Sequence, residues 1–358
     1  MKTIDTYIIK KFLGTFFFSM ALIILIVVVF DVSEKIEDFI QKEAPIRAII
    51  VDFYFNFIPY FVNLFSPLFT FIAVILFTSK MASRTEIVAI LCSGISYRRL
   101  LFPYMLSATV IALLSLYLNN FIIPHANKKR IAFEDTYIRN TFYNRDRNIH
   151  IQIAPGNFVY LERYSTEENT GYRFSIEKFK KGELYYKLLA DNIHWDSVKS
   201  NWIINNYYIR NINGVKETIR KGARIDTTLA FTPNEFGRKE YTIETMDYYQ
   251  LNNYIESERL KGSDNIELFE IEKYRRIAFP FATFILTLIG VSIASRKVRG
   301  GIGMHIGLGL LISFTFIMFM QVSTTFAASG FVSPLVAVWI PNVLFSFLAW
   351  YLLSKAQK

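Results

Sequence analysis

The residues that could do chemistry in this chain are few and widely separated. Its four histidines, His125, His150, His194 and His305, show no H-E-x-x-H motif or other spacing that gathers metal ligands, so a structural role is favoured for each. No Gly-Lys dipeptide occurs, so the phosphate-binding loop of an ATPase is missing. We therefore expect no catalytic residue, no metal site and no bound cofactor, and an intramembrane enzyme acting on lipids is disfavoured.

The segment 79–99 is the most informative polar stretch. Residues 85–92 within it have the pattern of an amphipathic helix, and Gly94 follows at a position that favours a helix end. A short helix of this kind can dock into a groove on another protein, while a basic anchor on lipid headgroups is the alternative on physical grounds alone. Cys92, the only cysteine, lies here, so no disulfide within the chain is possible.

The helices that would hold segment 79–99 in place are predicted by six apolar runs. The chain is 52% hydrophobic, and each run is long enough to cross a hydrocarbon core of roughly 30 Å. The runs cover residues 12–30, 53–79, 100–123, 277–294, 304–328 and 334–354. None contains Asp, Glu, Lys or Arg, which disfavours ion-coupled transport. The sequence therefore predicts a multi-pass helical membrane protein.

The distribution of charge predicts the orientation. The segments expected on the cytoplasmic side hold 12 basic residues and two acidic ones, Asp5 and Glu86. Their net charge of +10 equals that of the whole chain. These segments are 1–11, 79–99, 295–303 and 355–358. Because Lys and Arg concentrate on the cytoplasmic side, both termini are expected there. The basic balance thus reports membrane topology rather than nucleic-acid binding.

Two apolar surfaces could bind lipid or a partner helix. Phe61, Phe65, Phe69 and Phe71 make the second run bulky, which fits either a cavity for acyl chains or ordinary helix packing. The fifth run begins with closely spaced glycines at Gly303, Gly307 and Gly309. Small residues let helices approach closely, and this surface fits either dimerisation and gating or packing within the chain.

Between the third and fourth runs lies an insert of about 150 residues that we expect outside the cytoplasm. We divide the chain into 1–123, 124–275 and 276–358, with charged, helical stalks at 124–147 and 244–275. Period-2 patterns predict strands at 157–161, 172–176, 184–188, 202–204 and 207–209. Turn signals lie at Asn213-Gly214, 196–201, Lys181-Gly182 and Lys221-Gly222. The pattern suggests a sandwich or jelly-roll-like sheet.

Short motifs along the whole chain resemble those of the LptF/LptG (YjgP/YjgQ) permeases, which export lipopolysaccharide. The motifs are Asp5-Thr-Tyr-Ile-Ile9, Arg84-Thr-Glu86, Ser93-Gly-Ile-Ser96, Asn157-Phe-Val-Tyr160 and Thr232-Pro-Asn234. The resemblance implies an inner-membrane protein with six transmembrane helices and an inserted periplasmic β-jellyroll. The stretch 157–160 favours the G-like subunit.

The same resemblance implies partners and residue roles. The partners are a paralogous permease in a heterodimer, a cytoplasmic ATPase dimer (LptB-like) that uses the ATP, a single-helix LptC-like protein and a periplasmic LptA-like bridge. Residues that would engage the ATPase are Arg84, Glu86, Ser93 and Gly94 in the segment 80–99. The first, second and fifth spans would line a lipid cavity, with contacts from Lys35, Phe61, Phe65, Phe316 and Phe319. Family members carry basic residues near the outer end of the first span, where this chain has Asp31 and, one turn on, Lys35.

A second interpretation stays open. The chain could be a membrane-anchored envelope assembly or sensor protein whose β domain binds a partner. That interpretation explains the insert but gives no role to the helix at 85–92. Docking of an ATPase that tolerates charge reversal of both Arg84 and Glu86 would favour it.

Overall fold

The structure is a computed structural model that describes residues 3–139, 147–229, 231–236, 243–263, 265–296 and 301–356. Its contacts divide the chain into two compact units. The helical unit comprises Met1–Ile138, Thr245–Tyr248 and Glu267–Lys358, and the sheet unit comprises Arg139–Glu244 and Tyr249–Ile266.

Six long apolar helices lie in the described residues, as the sequence predicts. In chain order the helices are α1 (Thr3–Gln41), α2 (Ile46–Ser83), a short α3 (Glu86–Cys92), α4 (Tyr97–Tyr137), α5 (Tyr248–Lys261), α6 (Ile266–Ala294), α7 (Gly301–Ala328) and α8 (Pro334–Ala356). At 1.5 Å per residue, the 39 residues of α1 extend about 58 Å, nearly twice the thickness of a hydrocarbon core. The spans are therefore the apolar middles of longer helices.

Helix α2 lies at the centre of the helical unit, since it packs against both α1 and α7. Two glycines permit the closest approaches. A Cβ added at Gly309 of α7 would overlap the Ile75 side chain, and one added at Gly290 of α6 would lie 2.9 Å from Val74 Cγ1. Among the described residues of the helical unit, helices thus pack most closely at Gly309 and Gly290.

Two π-helical turns interrupt the long helices, Ile49–Tyr54 in α2 and Leu118–Ile122 in α4. Asparagine side chains bond the carbonyl groups beside them: Asn56 Nδ2 donates to Val51 O at 3.0 Å, and Asn120 Nδ2 donates to Leu116 O at 2.8 Å. These bonds matter because a backbone polar group without a partner is costly near a bilayer.

The sheet unit contains a six-stranded antiparallel sheet with the sequential order β1 to β6. The strands are β1 (Arg147–Ala154), β2 (Asn157–Ser165), β3 (Thr170–Lys180), β4 (Glu183–Asp196), β5 (Asn201–Asn213) and β6 (Lys216–Thr227). The predicted membrane-helical fold with an inserted β domain is confirmed. The described strands of the β domain form a meander, because each strand pairs with the next one along the chain.

Most turn signals lie where the chain reverses, but one prediction is wrong. The turns at Lys181-Gly182, 196–201 and Asn213-Gly214 connect β3 to β4, β4 to β5 and β5 to β6. Lys221-Gly222 lies instead inside β6, with Gly222 directly opposite Tyr207 of β5. A Cβ at residue 222 would overlap the Tyr207 ring, so this glycine makes room for a side chain rather than for a turn. Likewise, the segments predicted at 202–204 and 207–209 are parts of β5.

The core of the sheet unit is built around Trp202, which is fully buried. Its indole Nε1 donates to Phe231 O at 2.9 Å, which ties the segment after β6 to the sheet. Trp195 lies opposite Trp202 on β4, with ring centroids 5.0 Å apart. The sheet is thereby covered on one face, while Leu189 and Tyr208 on the other face are each 47% exposed.

We predict that Trp202→Ala loosens the sheet unit. Loss of a buried Trp typically costs about 3–5 kcal/mol, and here a buried hydrogen bond is lost as well. Hydrogen exchange of the full-length protein in detergent should show faster exchange across β4 to β6. Tyr185→Ala, which removes an aromatic side chain that is 43% exposed, is the control and should leave exchange unchanged. Equal protection in both variants would contradict this account of the core.

Candidate lipid-facing surface and coupling helix

The helix predicted at 85–92 is present as α3, Glu86–Cys92. Thr85, which precedes it, adopts a left-handed conformation with φ 60°, unusual for a β-branched residue and suited to a sharp change of direction after α2. Ser93 caps the other end, and Gly94 has φ 85°, which glycine adopts without strain. The residues predicted to couple to an ATPase therefore lie at the two ends of one short helix.

Helix α3 has one buried apolar side chain and an apolar face that is exposed. Ile87 is 2% exposed and packs in the helical core, whereas Val88 and Leu91 are 56% and 36% exposed. Cys92 and Ser93 are exposed as well. Such an exposed apolar face beside charged residues fits the surface that a partner protein would cover.

Glu86 connects α3 to the first helix. The Tyr7 hydroxyl donates to Glu86 Oε2 at 3.1 Å, and Arg84 Nη1 lies 4.0 Å from Glu86 Oε1. Because Tyr7 belongs to α1, this bond links the start of α1 to the first residue of α3. Sequence reasoning noted Tyr7 only as part of the motif Asp5-Thr-Tyr-Ile-Ile9. It did not predict the bond, because Tyr7 and Glu86 are 79 positions apart.

A second polar link joins the start of α1 to the start of α4. Arg99 donates from both Nη atoms to the Asp5 carboxylate, at 2.8 and 2.7 Å, and Asp5 is 2% exposed. The two-point geometry fixes the direction of both side chains. Sequence reasoning missed this pair. The one available signal was that Asp5 is an acidic residue in an otherwise basic terminal segment.

Phenylalanines form a column along one face of α2. The ring centroids of Phe57, Phe61, Phe65 and Phe69 follow one another at 4.0, 5.8 and 6.4 Å. Their spacing of four residues places them on one side of the helix. Phe57 and Phe69 are buried, whereas Phe61 and Phe65 are only partly covered. The structure thus brings two predicted lipid contacts together on one surface.

Lys35 lies at one end of this column. Its Nζ is 4.8 Å from the Phe53 ring centroid and 5.6 Å from that of Phe57. Asp31 neutralises the ammonium group at 2.5 Å, and Tyr54 donates to the other carboxylate oxygen at 3.1 Å. Lys35 is therefore placed beside the predicted lipid residues with its charge already balanced by the acidic residue one turn earlier.

The predicted residues on α7 do not share one environment. Phe316 is 1% exposed and packs edge-on against Phe345 at 5.2 Å, so in this structure its contacts are with protein. Phe319 is 41% exposed. At Gly303 and Gly307, an added Cβ would meet nothing within 4 Å among the described residues. The glycine pair predicted for helix packing therefore faces away from the chain's own neighbouring helices.

The helices α1 and α7 are the least covered of the long helices. In the apolar 18-residue stretch of each helix, 17% of the residues are buried in α1 and 22% in α7, against 67% in α2. Both pack on α2, so the three helices predicted to line a cavity are neighbours. Their exposed large side chains include Phe17, Phe18, Leu25, Phe30, Leu311, Phe314 and Met318. This surface suits acyl chains or a second apolar helix surface.

Comparison with known proteins identifies the architecture. The sequence profile described as "Lipopolysaccharide export system permease LptF/LptG" matches residues 6–355. The chain belongs to the LptF/LptG family. LptG of Haemophilus influenzae is 21% identical, with 100% of this chain and 99% of the relative covered, and LptG of Escherichia coli K12 is 19% identical, with 83% of each covered.

The family match covers the features of the chain described above. The profile includes α3, the aromatic column and the sheet unit. Among the described residues, no group of three or more His, Cys, Asp or Glu side chains could hold a metal ion. The chain thus belongs to a permease family of lipopolysaccharide export, and its described residues include six helices long and apolar enough to cross a membrane.

We predict that the Asp5–Arg99 pair stabilises the helical unit. Arg99→Gln removes two charge-assisted hydrogen bonds from a buried carboxylate, whereas Arg98→Gln removes the same charge from an exposed neighbour. In detergent, Arg99→Gln should lower Tm by about 2–4 °C and Arg98→Gln should change it little. The double exchange Asp5→Arg with Arg99→Asp should recover part of the loss. Equal Tm values for the two single variants would rule out a stabilising role.

Proposed function

We propose that the chain is the permease subunit of an ABC-type exporter that extracts lipopolysaccharide from the bacterial inner membrane and passes it to a periplasmic bridge. The observation that carries this proposal is α3, a short helix with an exposed apolar face, connected through Glu86 to α1. A passive anchor would not need that connection. The family match across residues 6–355 supports the transported lipid.

Both termini and α3 lie in the cytoplasm in this proposal, and the sheet unit lies in the periplasm. The basic segments beside α3 support that orientation, because Lys and Arg are retained on the cytoplasmic side. A separate cytoplasmic ATPase dimer, LptB-like, hydrolyses ATP and binds α3. The permease itself binds no cofactor and is not an enzyme.

The second permease subunit packs against the exposed faces of α1 and α7, and lipid enters the space between the two subunits. A single-helix LptC-like protein and a periplasmic LptA-like bridge complete the assembly. The exposed positions of Gly303 and Gly307 fit close contact with that partner rather than within the chain. Because the LptG proteins of Haemophilus influenzae and Escherichia coli are similar to this chain and residues 157–160 favour the same subunit, we assign this chain to the G-like position.

Coupling follows from the contacts of Glu86. When the ATPase subunits close, they displace α3, and the Tyr7–Glu86 bond passes the displacement to α1. Helix α1 borders the lipid-facing surface, so its movement narrows the space that holds the acyl chains. Each buried CH₂ group stabilises bound lipid by about 0.8 kcal/mol, so extraction is nearly balanced and release is the step that needs ATP.

We predict that Glu86→Lys releases the ATPase. The variant reverses the charge that Tyr7 and Arg84 position beside the exposed face of α3. Tagged wild-type protein purified in detergent should carry an ATPase, a second permease and lipopolysaccharide, identified by mass spectrometry. ATPase recovery should fall at least about tenfold in the variant, as expected when a charged interface pair is lost. Glu37→Lys, the same charge change on an exposed residue farther along α1, is the control.

Two results would contradict the proposal. Wild-type protein that purifies without an ATPase and with bulk phospholipid alone would favour the envelope assembly or sensor interpretation. Full ATPase recovery with Arg84→Glu and Glu86→Lys combined would remove α3 from the interface.

We further predict that Asp31 limits the attraction of Lys35 for lipid phosphate. Asp31→Asn leaves the ammonium without its 2.5 Å counter-charge, so recovery of lipopolysaccharide per protein should rise roughly two- to fivefold. Lys35→Gln should lower recovery. Lys42→Gln, which alters an exposed lysine two turns farther on, should not. Identical lipid recovery from Asp31→Asn and Lys35→Gln would exclude Lys35 as a phosphate contact.

A further inference from the structure

The solvent-facing side of the sheet, opposite the core around Trp202, carries a groove. Its larger part is a cavity of about 620 Å³ that crosses β1 to β5. A second cavity of about 530 Å³ extends it to β6, and the two share Asp191, Asn206 and Tyr208. Because every lining residue belongs to the sheet unit, the groove is complete within that unit.

Strand register explains the shape of the groove. Tyr160, Ser175, Leu189 and Tyr208 lie directly opposite one another on β2, β3, β4 and β5. At the usual strand separation, this row is about 14 Å wide. Ser175 is the small residue of the row and is 5% exposed, so it forms the floor between larger side chains. The depression is therefore a product of side-chain size along one row.

Aromatic rings form both sides of the groove. On one side the His150 and Tyr160 rings have centroids 4.8 Å apart, and Phe158 is 40% exposed. On the other side Tyr208 is 47% exposed, and Lys221 Nζ lies 5.0 Å from its ring centroid. Tyrosine offers a flat apolar face together with a hydroxyl group, a combination that suits ligands with both kinds of surface.

The charges along the larger cavity balance one another. Lys187 pairs with Glu177 at 2.7 Å, and Arg173 pairs with Glu162 at 3.0 Å. Asp191 accepts a hydrogen bond from Asn206 at 3.0 Å. A phosphate or other anion would meet carboxylates beside each cation, whereas an acyl chain would cover these polar groups without hydrogen-bonding them.

We propose that this groove binds a saccharide. Pyranose rings combine an apolar C–H face, which stacks on exposed aromatic rings, with hydroxyl groups that bond carboxylate, amide and guanidinium side chains. The row of Tyr160 and Tyr208 supplies the rings, and Asp191, Asn206 and Arg173 supply the polar partners. The source of the saccharide rests on the proposed function. If that function holds, the ligand is the sugar portion of lipopolysaccharide, bound on the face opposite the sheet's apolar core.

The test uses the full chain in detergent and a lipid-free probe. Core oligosaccharide prepared from lipopolysaccharide by delipidation and dephosphorylation is titrated by calorimetry and by saturation-transfer NMR. Tyr208→Ala should weaken its affinity about five- to tenfold, because one stacking ring is lost. Tyr185→Ala is the matched control, since Tyr185 is 43% exposed but lies outside both cavities. A peptidoglycan disaccharide fragment and laurate are titrated in parallel.

Each outcome bears on the proposal. Saturable binding of either saccharide that Tyr208→Ala weakens and Tyr185→Ala does not supports the groove, and the tighter of the two identifies the source. Absence of saturable binding, equal effects of both variants, or displacement of the saccharide by laurate overturns it. Recovery of the ATPase and lipopolysaccharide with a groove that binds no sugar would refute this inference alone, whereas sugar binding without ATPase recovery would refute the proposed function.

Discussion

The arrangement of the helical unit depends on keeping ionised groups out of the hydrocarbon core. The ion pairs Asp5–Arg99 and Asp31–Lys35 lie near opposite ends of the first apolar run, outside its uncharged middle at 12–30. A charge inside a bilayer is costly, and both pairs lie beyond the ends of the uncharged run. The Asp5–Arg99 pair joins one end of the run to α4, and the Tyr54–Asp31 hydrogen bond joins the other end to α2.

The same constraint governs the polar groups that do lie among the helices. Asn63 of α2 accepts from Ser115 at 2.6 Å and donates to Asn119 at 2.8 Å, both on α4. Thr78 and Tyr104 join the same two helices at 3.0 Å. Hydrogen bonds between helices hold α2 against α4, while the closest contact of α2 with Gly309 of α7 is apolar. Helix α2 is therefore held to α4 by hydrogen bonds between side chains and to α7 by close apolar packing.

Sequence reasoning predicted the features that depend on local pattern. Uncharged apolar runs gave the six spans, the segment before Gly94 gave α3, and Asn213-Gly214 gave a hairpin. It failed where distant residues decide. Gly222 was predicted to lie in a turn, but Tyr207 lies opposite it in the sheet, and the burial of Phe316 against Phe345 also depends on residues far apart in the chain. No local pattern encodes such pairings, because they depend on strand register and helix packing.

The polar links at the basic end of the helical unit have unequal strengths, which matters for how movement passes through it. Arg99 holds Asp5 by two bonds at 2.7–2.8 Å, whereas Glu86 is held by one tyrosine bond at 3.1 Å and a distant guanidinium at 4.0 Å. The start of α1 is thus anchored firmly to α4 and loosely to α3. In the proposed mechanism, the Tyr7–Glu86 bond therefore carries the displacement of α3 to α1, while the stronger Asp5–Arg99 pair keeps the start of α1 attached to α4.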